Sequence, residues 1–179
     1  MKTKQIIQLL NVLAWIIFIA LCVEAGAIMV SSVLWLILPG YAHHLYKWED
    51  LSPLFEYDKG HFTAIIIVIS IVTLLKTLLF YMVIKLMRNK NLKFARPFST
   101  EVNRFILYGA VIAFFIGLFS KYGFKYAQWL FSKGVHMPDA ADLKLDGPDV
   151  WILMGVILFV IAQGFKRGVE LQQENDLTV

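Results

Sequence analysis

The sequence predicts an all-α, polytopic integral membrane protein with four spans, and composition is the first reason. Of its 179 residues, 59% are hydrophobic and only 17% are charged, whereas soluble domains are about half apolar and a quarter charged. Four apolar runs are long enough to cross about 30 Å of hydrocarbon, which takes about 20 helical residues. These runs are residues 12–38, 62–86, 105–131 and 150–165. We therefore expect a single membrane domain, 1–179, built as a four-helix bundle.

The distribution of charge predicts the side of the membrane that each connection faces. Residues 85–104 hold six basic residues and one acidic residue between the second and third spans. Short loops rich in Lys and Arg stay in the cytoplasm, so the loop 87–104 and, with four spans, both termini are expected inside. The outer loops, 39–61 and 132–149, hold most of the acidic residues. The predicted location is the bacterial cytoplasmic (inner) membrane, with a small extracytoplasmic cap between the first two helices and a cytoplasmic tail at 166–179.

The first span is expected to be a retained anchor. Its basic start and the apolar stretch up to Ala25 imitate a cleavable secretion signal, but the apolar residues continue to Leu38. Pro39 and the glycine after it end the helix. Cys22 is the only cysteine, so the chain can form no internal disulfide.

The third span carries a start signal and a stripe of small residues. Pro97 disfavours helix just before it, and Ser99 or Thr100 can cap a helix whose first turn then holds Glu101. Small residues then recur at every fourth position: Gly109, Ala113 and Gly117. Such a stripe lets another backbone approach closely, and packing inside the bundle is favoured over the face of a homo-oligomer.

The fourth span also has a start signal. Pro148 suits the first position of a helix, and the acidic Asp149 suits its positive N-terminal end. The apolar part is short, but no strong helix breaker follows it. We expect the helix to continue beyond the membrane to about Gln173.

Two ionisable residues near the middle of the predicted spans are the candidate intramembrane site. Glu24 lies in the first span and Lys76 in the second. A charged group there is costly unless it is paired or hydrated, so we expect an ion pair between the two helices. Two roles remain open: a pair that only holds two helices together, and a polar cavity that handles an ion or ligand.

Metal, cofactor, nucleic-acid and catalytic chemistry have little support in the sequence. The four histidines all fall in the predicted outer half: His43, His44, His61 and His136. Their spacing fits no metal motif, so solvated histidines are favoured and neither a metal nor a cofactor is expected. The basic residues lie beside spans, where topology and anionic headgroups explain them without direct nucleic-acid binding. No nucleophile elbow, phosphate-binding loop or catalytic carboxylate pair occurs, so no enzyme is expected.

Two segments resemble a known family. They are residues 96–104, Arg-Pro-Phe-Ser-Thr-Glu-Val-Asn-Arg, and residues 164–179, which begin Gly-Phe-Lys-Arg-Gly-Val-Glu-Leu. The chain resembles the uncharacterised bacterial membrane family called domain of unknown function 2975. Its members have four spans, a Pro-Phe-Ser/Thr step before the third helix and a similar tail. Several are encoded beside small helix-turn-helix regulators, so the resemblance implies a regulatory link, and it implies no catalytic residues.

The expected function is that of a membrane sensor or a regulatory partner of a cytoplasmic transcription regulator. A surface for that partner or for membrane lipids would combine the basic loop with the tail. Its residues are Arg88, Lys90, Lys93, Arg96, Pro97, Phe98, Ser99 and Arg104 in the loop, and Arg167, Glu170 and Glu174 in the tail. The alternative is a small carrier or a lipid- or small-molecule-binding protein that uses Glu24 and Lys76.

Overall fold

A computed structural model describes residues 3–37, 51–88, 99–139 and 141–177. The helices are α1 (Thr3–Ile37), α2 (Ser52–Tyr57), α3 (Lys59–Arg88), α4 (Thr100–Ser132) and α5 (Pro148–Leu177). The described residues contain no strand, which confirms the all-α prediction. Four of the helices, α1, α3, α4 and α5, are long and apolar enough to cross a membrane. The chain is therefore a multi-pass membrane protein by the length and composition of its helices.

The long helices extend beyond the apolar runs that predict them. Helix α4 begins at Thr100, five residues before its apolar run, and α5 ends at Leu177, beyond its apolar run and past the predicted end near Gln173. The apolar run measures only the part of a helix suited to hydrocarbon, whereas the helix continues until a backbone signal stops it. Polar turns therefore extend these helices past their apolar spans.

Both predicted helix starts are confirmed. Ser99 has extended backbone angles and its hydroxyl accepts a hydrogen bond from the Val102 N–H at 3.3 Å, which makes it the N-cap of α4. Glu101 lies in the first turn of α4. Helix α5 begins at Pro148 with Asp149 in its first turn, as proline's fixed φ angle and the helix dipole favour.

The short helix α2 lies in the connection that the sequence predicts at 39–61. Leu51 and Leu54 are buried, and the rings of Phe55 and Phe62 meet edge to face at 5.2 Å. Asp58 lies between α2 and α3 in the chain, and its carboxylate accepts a hydrogen bond from the His61 N–H at 2.8 Å. Helix α2 is thus packed against the start of α3, while residues 38–50 lie outside the described part of the chain.

The four long helices pack in chain order. Among the described helices, the backbone of α1 approaches that of α3, α4 lies between α3 and α5, and the backbone of α5 approaches that of α4. A Cβ atom on Gly109 would meet Leu79, whereas one on Gly123 would meet Val68. Rising numbers in α4 match falling numbers in α3, so the two helices are antiparallel.

Helices α4 and α5 approach each other backbone to backbone. A Cβ atom on Gly117 would lie 2.7 Å from the Ile152 nitrogen and 2.8 Å from the Pro148 oxygen. A Cβ atom on Gly155 would lie 2.8 Å from the Phe114 nitrogen. No side chain fits at these two positions, which confirms that the small-residue stripe packs inside the molecule.

The close contact at Gly117 also fixes where α5 begins. Helix α4 continues to Ser132, which is about 22 Å beyond Gly117 at 1.5 Å per residue. Helix α5 starts beside Gly117, so the connection 133–147 must run back along the last turns of α4. The connection is therefore part of the packed structure.

We call this part of the molecule the α2 end, meaning α2, the first turns of α3, the last turns of α4 and the connection 133–147. Its buried apolar side chains form one cluster: Leu51, Leu54, Phe62, Ile65, Val68, Ala127, Leu130, Val135, Met137, Leu143 and Leu145. We call the opposite end, where α3 ends and α4 begins, the basic end, after Lys85, Arg88 and Arg104.

Replacing Gly155 by alanine tests the α4–α5 contact. We expect Gly155→Ala to destabilise the protein by about 1–3 kcal/mol because its methyl group overpacks the interface. The measurement is the free energy of unfolding in mixed detergent micelles. Gly164→Ala is the matched control on the same helix, since a Cβ there meets nothing within 4 Å. Equal effects of the two changes would contradict the close contact.

Candidate functional site

Three charged side chains from three parts of the fold meet in what we call the polar cluster: Glu24, Lys76 and Lys144. Glu24 belongs to α1, Lys76 to α3 and Lys144 to the connection between α4 and α5. The Lys144 ammonium lies 3.4 Å from Glu24 Oε1. The Lys76 ammonium donates a hydrogen bond to the Lys144 carbonyl oxygen at 3.0 Å. Lys144 therefore contacts both residues that the sequence singles out.

The local backbone holds Lys144 in place. Its φ angle of 58° lies in the left-handed region, which costs a non-glycine residue roughly 1–2 kcal/mol. The neighbours on both sides, Leu143 and Leu145, are buried, and the Lys144 N–H donates to the Ala141 carbonyl at 3.0 Å. The two buried leucines anchor the turn, so the strained residue presents both its carbonyl and its ammonium to the cluster.

The Lys76 ammonium contacts a backbone carbonyl and an aromatic ring, and no carboxylate is within salt-bridge distance among its described contacts. Besides its hydrogen bond to Lys144, its ammonium lies 5.7 Å from the ring centroid of Trp151 on α5, a cation–π distance. The lysine thus joins α3 to both the connection and the start of α5.

Glu24 links α1 to the rest of the molecule through its pair with Lys144. Its side chain is 29% exposed and that of Lys144 is 50% exposed, so the pair is partly desolvated. The sequence predicts a direct ion pair between Glu24 and Lys76. The structure brings both residues into one cluster, but it places the Lys144 ammonium against Glu24 and the Lys144 carbonyl against Lys76.

The chemistry of the cluster suits a structural tie. Two lysines and one glutamate, with Asp146 nearby, form ion-pair and hydrogen-bond contacts that satisfy each other. No known protein family, curated protein or solved structure matches the chain. The resemblance to domain of unknown function 2975 stays a prediction.

Lys144 is the member of the cluster that sequence analysis missed. It lies in a segment assigned to an outer loop, where a lysine between acidic residues looks solvated. The usable signal is that two leucines, Leu143 and Leu145, flank Lys144 in a connection that is largely polar, because leucines are often buried. The depth to which the connection descends depends on the contact at Gly117, which no local pattern reveals.

The predicted surface residues are only partly described. Arg88 is exposed at the end of α3 and Arg104 is exposed near the start of α4. On α5, Arg167 and Glu170 are exposed, and the Glu170 carboxylate lies 4.0 Å from the Lys166 ammonium, one helical turn away. Five of the predicted residues lie outside the described part of the chain: Lys90, Lys93, Arg96, Pro97 and Phe98.

The two histidines in the described part of the chain, His61 and His136, do not lie together in a metal site. His61 Nδ1 lies 2.6 Å from the Tyr126 hydroxyl, and the His61 ring contacts Trp129 edge to face. His136 is exposed in the connection. In the described ranges no three His, Cys, Asp or Glu side chains are arranged to hold a metal ion. His43 and His44 lie outside those ranges.

A double-mutant cycle on Glu24→Gln and Lys144→Gln tests the tie. Each single change leaves a partly buried charge without its partner, so we expect a coupling energy of about 1 kcal/mol. The measurement is the free energy of unfolding of the two single variants and the double variant.

The exposed pair Lys121 and Asp149 serves as the control cycle. Its atoms lie closer together, at 3.0 Å, but its side chains are 47% and 81% exposed. Solvent screening reduces the expected coupling to a few tenths of a kcal/mol, about the value of surface pairs. If the losses in the free energy of unfolding for Glu24→Gln and Lys144→Gln are additive, the two side chains do not stabilise the protein through their pair.

Proposed function

We propose that the protein is a non-enzymatic signal relay of the bacterial cytoplasmic membrane. In this proposal the α2 end faces outward as a small cap that responds to a membrane or envelope condition. The basic end and the α5 extension, meaning residues 166–177 of α5, face the cytoplasm and contact a regulatory protein. The resemblance suggests a helix-turn-helix regulator as that partner.

The single observation that carries the proposal is that α5 is one uninterrupted helix from the connection to the tail. It runs from Pro148 to Leu177, about 45 Å at 1.5 Å per residue. Its first turns pack backbone to backbone on α4 at Gly117. A helix held this closely moves with its neighbour, so a displacement of α4 at the α2 end displaces the tail as well.

The elements of the α2 end share one apolar cluster, as a cap that transmits a change to the bundle requires. This cluster joins α2, α3, α4 and the connection, so a change at one of these elements is felt by the others. The polar cluster then ties the connection to α1 and α3. These contacts give a continuous physical path from the cap to all four long helices.

The charge distribution supports the proposed orientation. The last turn of α3 carries Lys85 and Arg88, and α5 carries Lys166 and Arg167 after its apolar part. These basic residues gather at the end of the bundle opposite to α2. The positive-inside rule assigns such an end to the cytoplasm.

The α5 extension offers a surface for a partner. Leu171 is 61% exposed although it lies beyond the apolar part of the helix. Arg167 stands four residues before it and Glu174 three residues after it, so the three share one face. In the proposed contact, the partner would bury Leu171, and the two charged residues would lie at the polar rim.

The carrier interpretation has less support from the geometry. A carrier would hold Glu24 and Lys76 ready for a ligand, whereas Glu24 pairs with the Lys144 ammonium and Lys76 donates to the Lys144 carbonyl. A ligand would first have to break these contacts, at the cost of leaving charges unsatisfied.

Cysteine labelling tests the orientation. With Cys22 replaced by alanine, single cysteines are placed at His136 and at Gln173, two exposed positions at opposite ends of the bundle. A membrane-impermeant maleimide applied to intact spheroplasts is expected to label position 136 and not position 173. Permeabilised membranes, in which both sites must react, are the control. The reversed pattern would overturn the proposed orientation.

Photo-crosslinking in native membranes tests the relay. A photoreactive amino acid in place of Glu170, which is exposed and stands three residues after Arg167 and four before Glu174, is expected to capture one cytoplasmic protein in stoichiometric yield. Leu171→Asp should reduce that yield at least about tenfold, because it replaces an apolar anchor by a charge. Gln173→Asp is the matched control on the same helix and should leave the yield unchanged. A yield indifferent to Leu171 or equally sensitive to Gln173 would contradict a specific contact.

A further inference from the structure

An open cleft lies between α3 and α4 at the basic end. Its volume is about 520 Å³, within the range of about 300–1,000 Å³ typical of ligand sites. Apolar side chains such as Leu78, Met82 and Phe105 line it, together with Lys85 and Arg104. All of these residues belong to helices that are long and apolar enough to span a membrane. The cleft thus combines an apolar floor with basic groups at one end.

The basic groups of this cleft are arranged with two tyrosines. Tyr81 precedes Lys85 by four residues on α3, and Arg104 precedes Tyr108 by four residues on α4. Residues four apart share one helix face, so each helix presents one tyrosine and one cation to the cleft. Tyr81 is 50% exposed and Tyr108 is 57% exposed. Tyrosines that are half in contact with apolar surroundings favour the headgroup level of a bilayer.

We infer that this cleft binds an anionic phospholipid. The phosphate lies between the Lys85 ammonium and the Arg104 guanidinium, which suits the paired geometry of arginine with phosphate. One acyl chain follows the apolar floor toward Leu78. The tyrosine hydroxyls stand at the height of the glycerol and phosphate oxygens, where they donate hydrogen bonds.

The charge of the cleft favours an anion despite one acidic residue. Glu101 also lines the cleft, which leaves two basic side chains against one acidic side chain. A second cleft of about 360 Å³ between α1 and α3 adds Arg88 and shares Tyr81 and Lys85 with the first. Lys85 therefore stands between two apolar clefts, where an anionic headgroup meets cations from both sides.

The apolar floor selects a phospholipid over a soluble anion. Leu78 is 45% exposed, and a soluble phosphate would leave that surface uncovered. An acyl chain of a bound lipid covers that surface and packs against the apolar floor, and within a bilayer such packing replaces the hydrophobic effect as the driving force. Attachment in the membrane thus depends on the headgroup charge and on the fit of the chain.

Native mass spectrometry of the full chain in detergent tests the inference. The protein is titrated with phosphatidylglycerol and with phosphatidylcholine that carry the same acyl chains. We expect phosphatidylglycerol to bind at least about fivefold more tightly, the factor expected from one basic contact. Lys85→Gln and Arg104→Gln should each remove most of this preference. Glu101→Gln should increase it, because it deletes the opposing charge.

Controls on charge and shape separate this site from general attraction to basic protein. Lys166→Gln removes a charge outside the cleft and should leave the preference unchanged. Leu78→Trp fills the apolar floor and should weaken phosphatidylglycerol binding, whereas Leu74→Trp, on the same helix and also 45% exposed, should not. Excess inorganic phosphate should displace little lipid. Circular dichroism checks that each variant folds.

Three outcomes would overturn the inference. The first is equal binding of the two lipids by the parent protein. The second is an equal loss for Lys166→Gln and Arg104→Gln, which would mean attraction to overall charge. The third is full displacement by inorganic phosphate with no effect of Leu78→Trp, which would identify a site for a soluble anion.

Discussion

The structure depends on one constraint: a charged group between apolar helices must find its partners within the protein. Glu24 and Lys76 lie inside apolar spans, and one residue, Lys144, meets the needs of both through its ammonium and its carbonyl. To bring Lys144 there, the connection between α4 and α5 has to descend along α4. The strained backbone at Lys144 and the buried Leu143 and Leu145 are consequences of that descent.

The descent in turn requires the close packing of α4 on α5. Because Gly117 and Gly155 carry no Cβ atom, α5 begins beside the middle of α4 instead of beside its end. This staggered start leaves the last turns of α4 free to pack against α3, α2 and the connection. The same glycines therefore determine both the α4–α5 interface and the depth of the polar cluster.

Sequence reasoning succeeded where the signal is local and failed where it depends on packing between helices. The apolar runs, the Ser99 cap and Pro148 each act within a few residues, so the helices and their starts were predictable. The depth of the connection follows from contacts more than twenty residues apart in sequence, and Lys144 was consequently missed. Glu24 and Lys76 were found because a charge inside an apolar run is itself a local signal.

The order in which the helices pack makes α1 the long helix that can move most easily, because it packs on a single neighbour. Among the described helices, the backbone of α1 approaches only that of α3, and its other described link is the pair of Glu24 with Lys144. At the basic end, Tyr81 and Lys85 line both the cleft between α1 and α3 and the cleft between α3 and α4. An anionic lipid bound at Lys85 therefore acts on the seating of α1 as well as on α4. By linkage, if a ligand that shifts α1 changes the affinity for that lipid by some factor, the lipid changes the affinity for that ligand by the same factor.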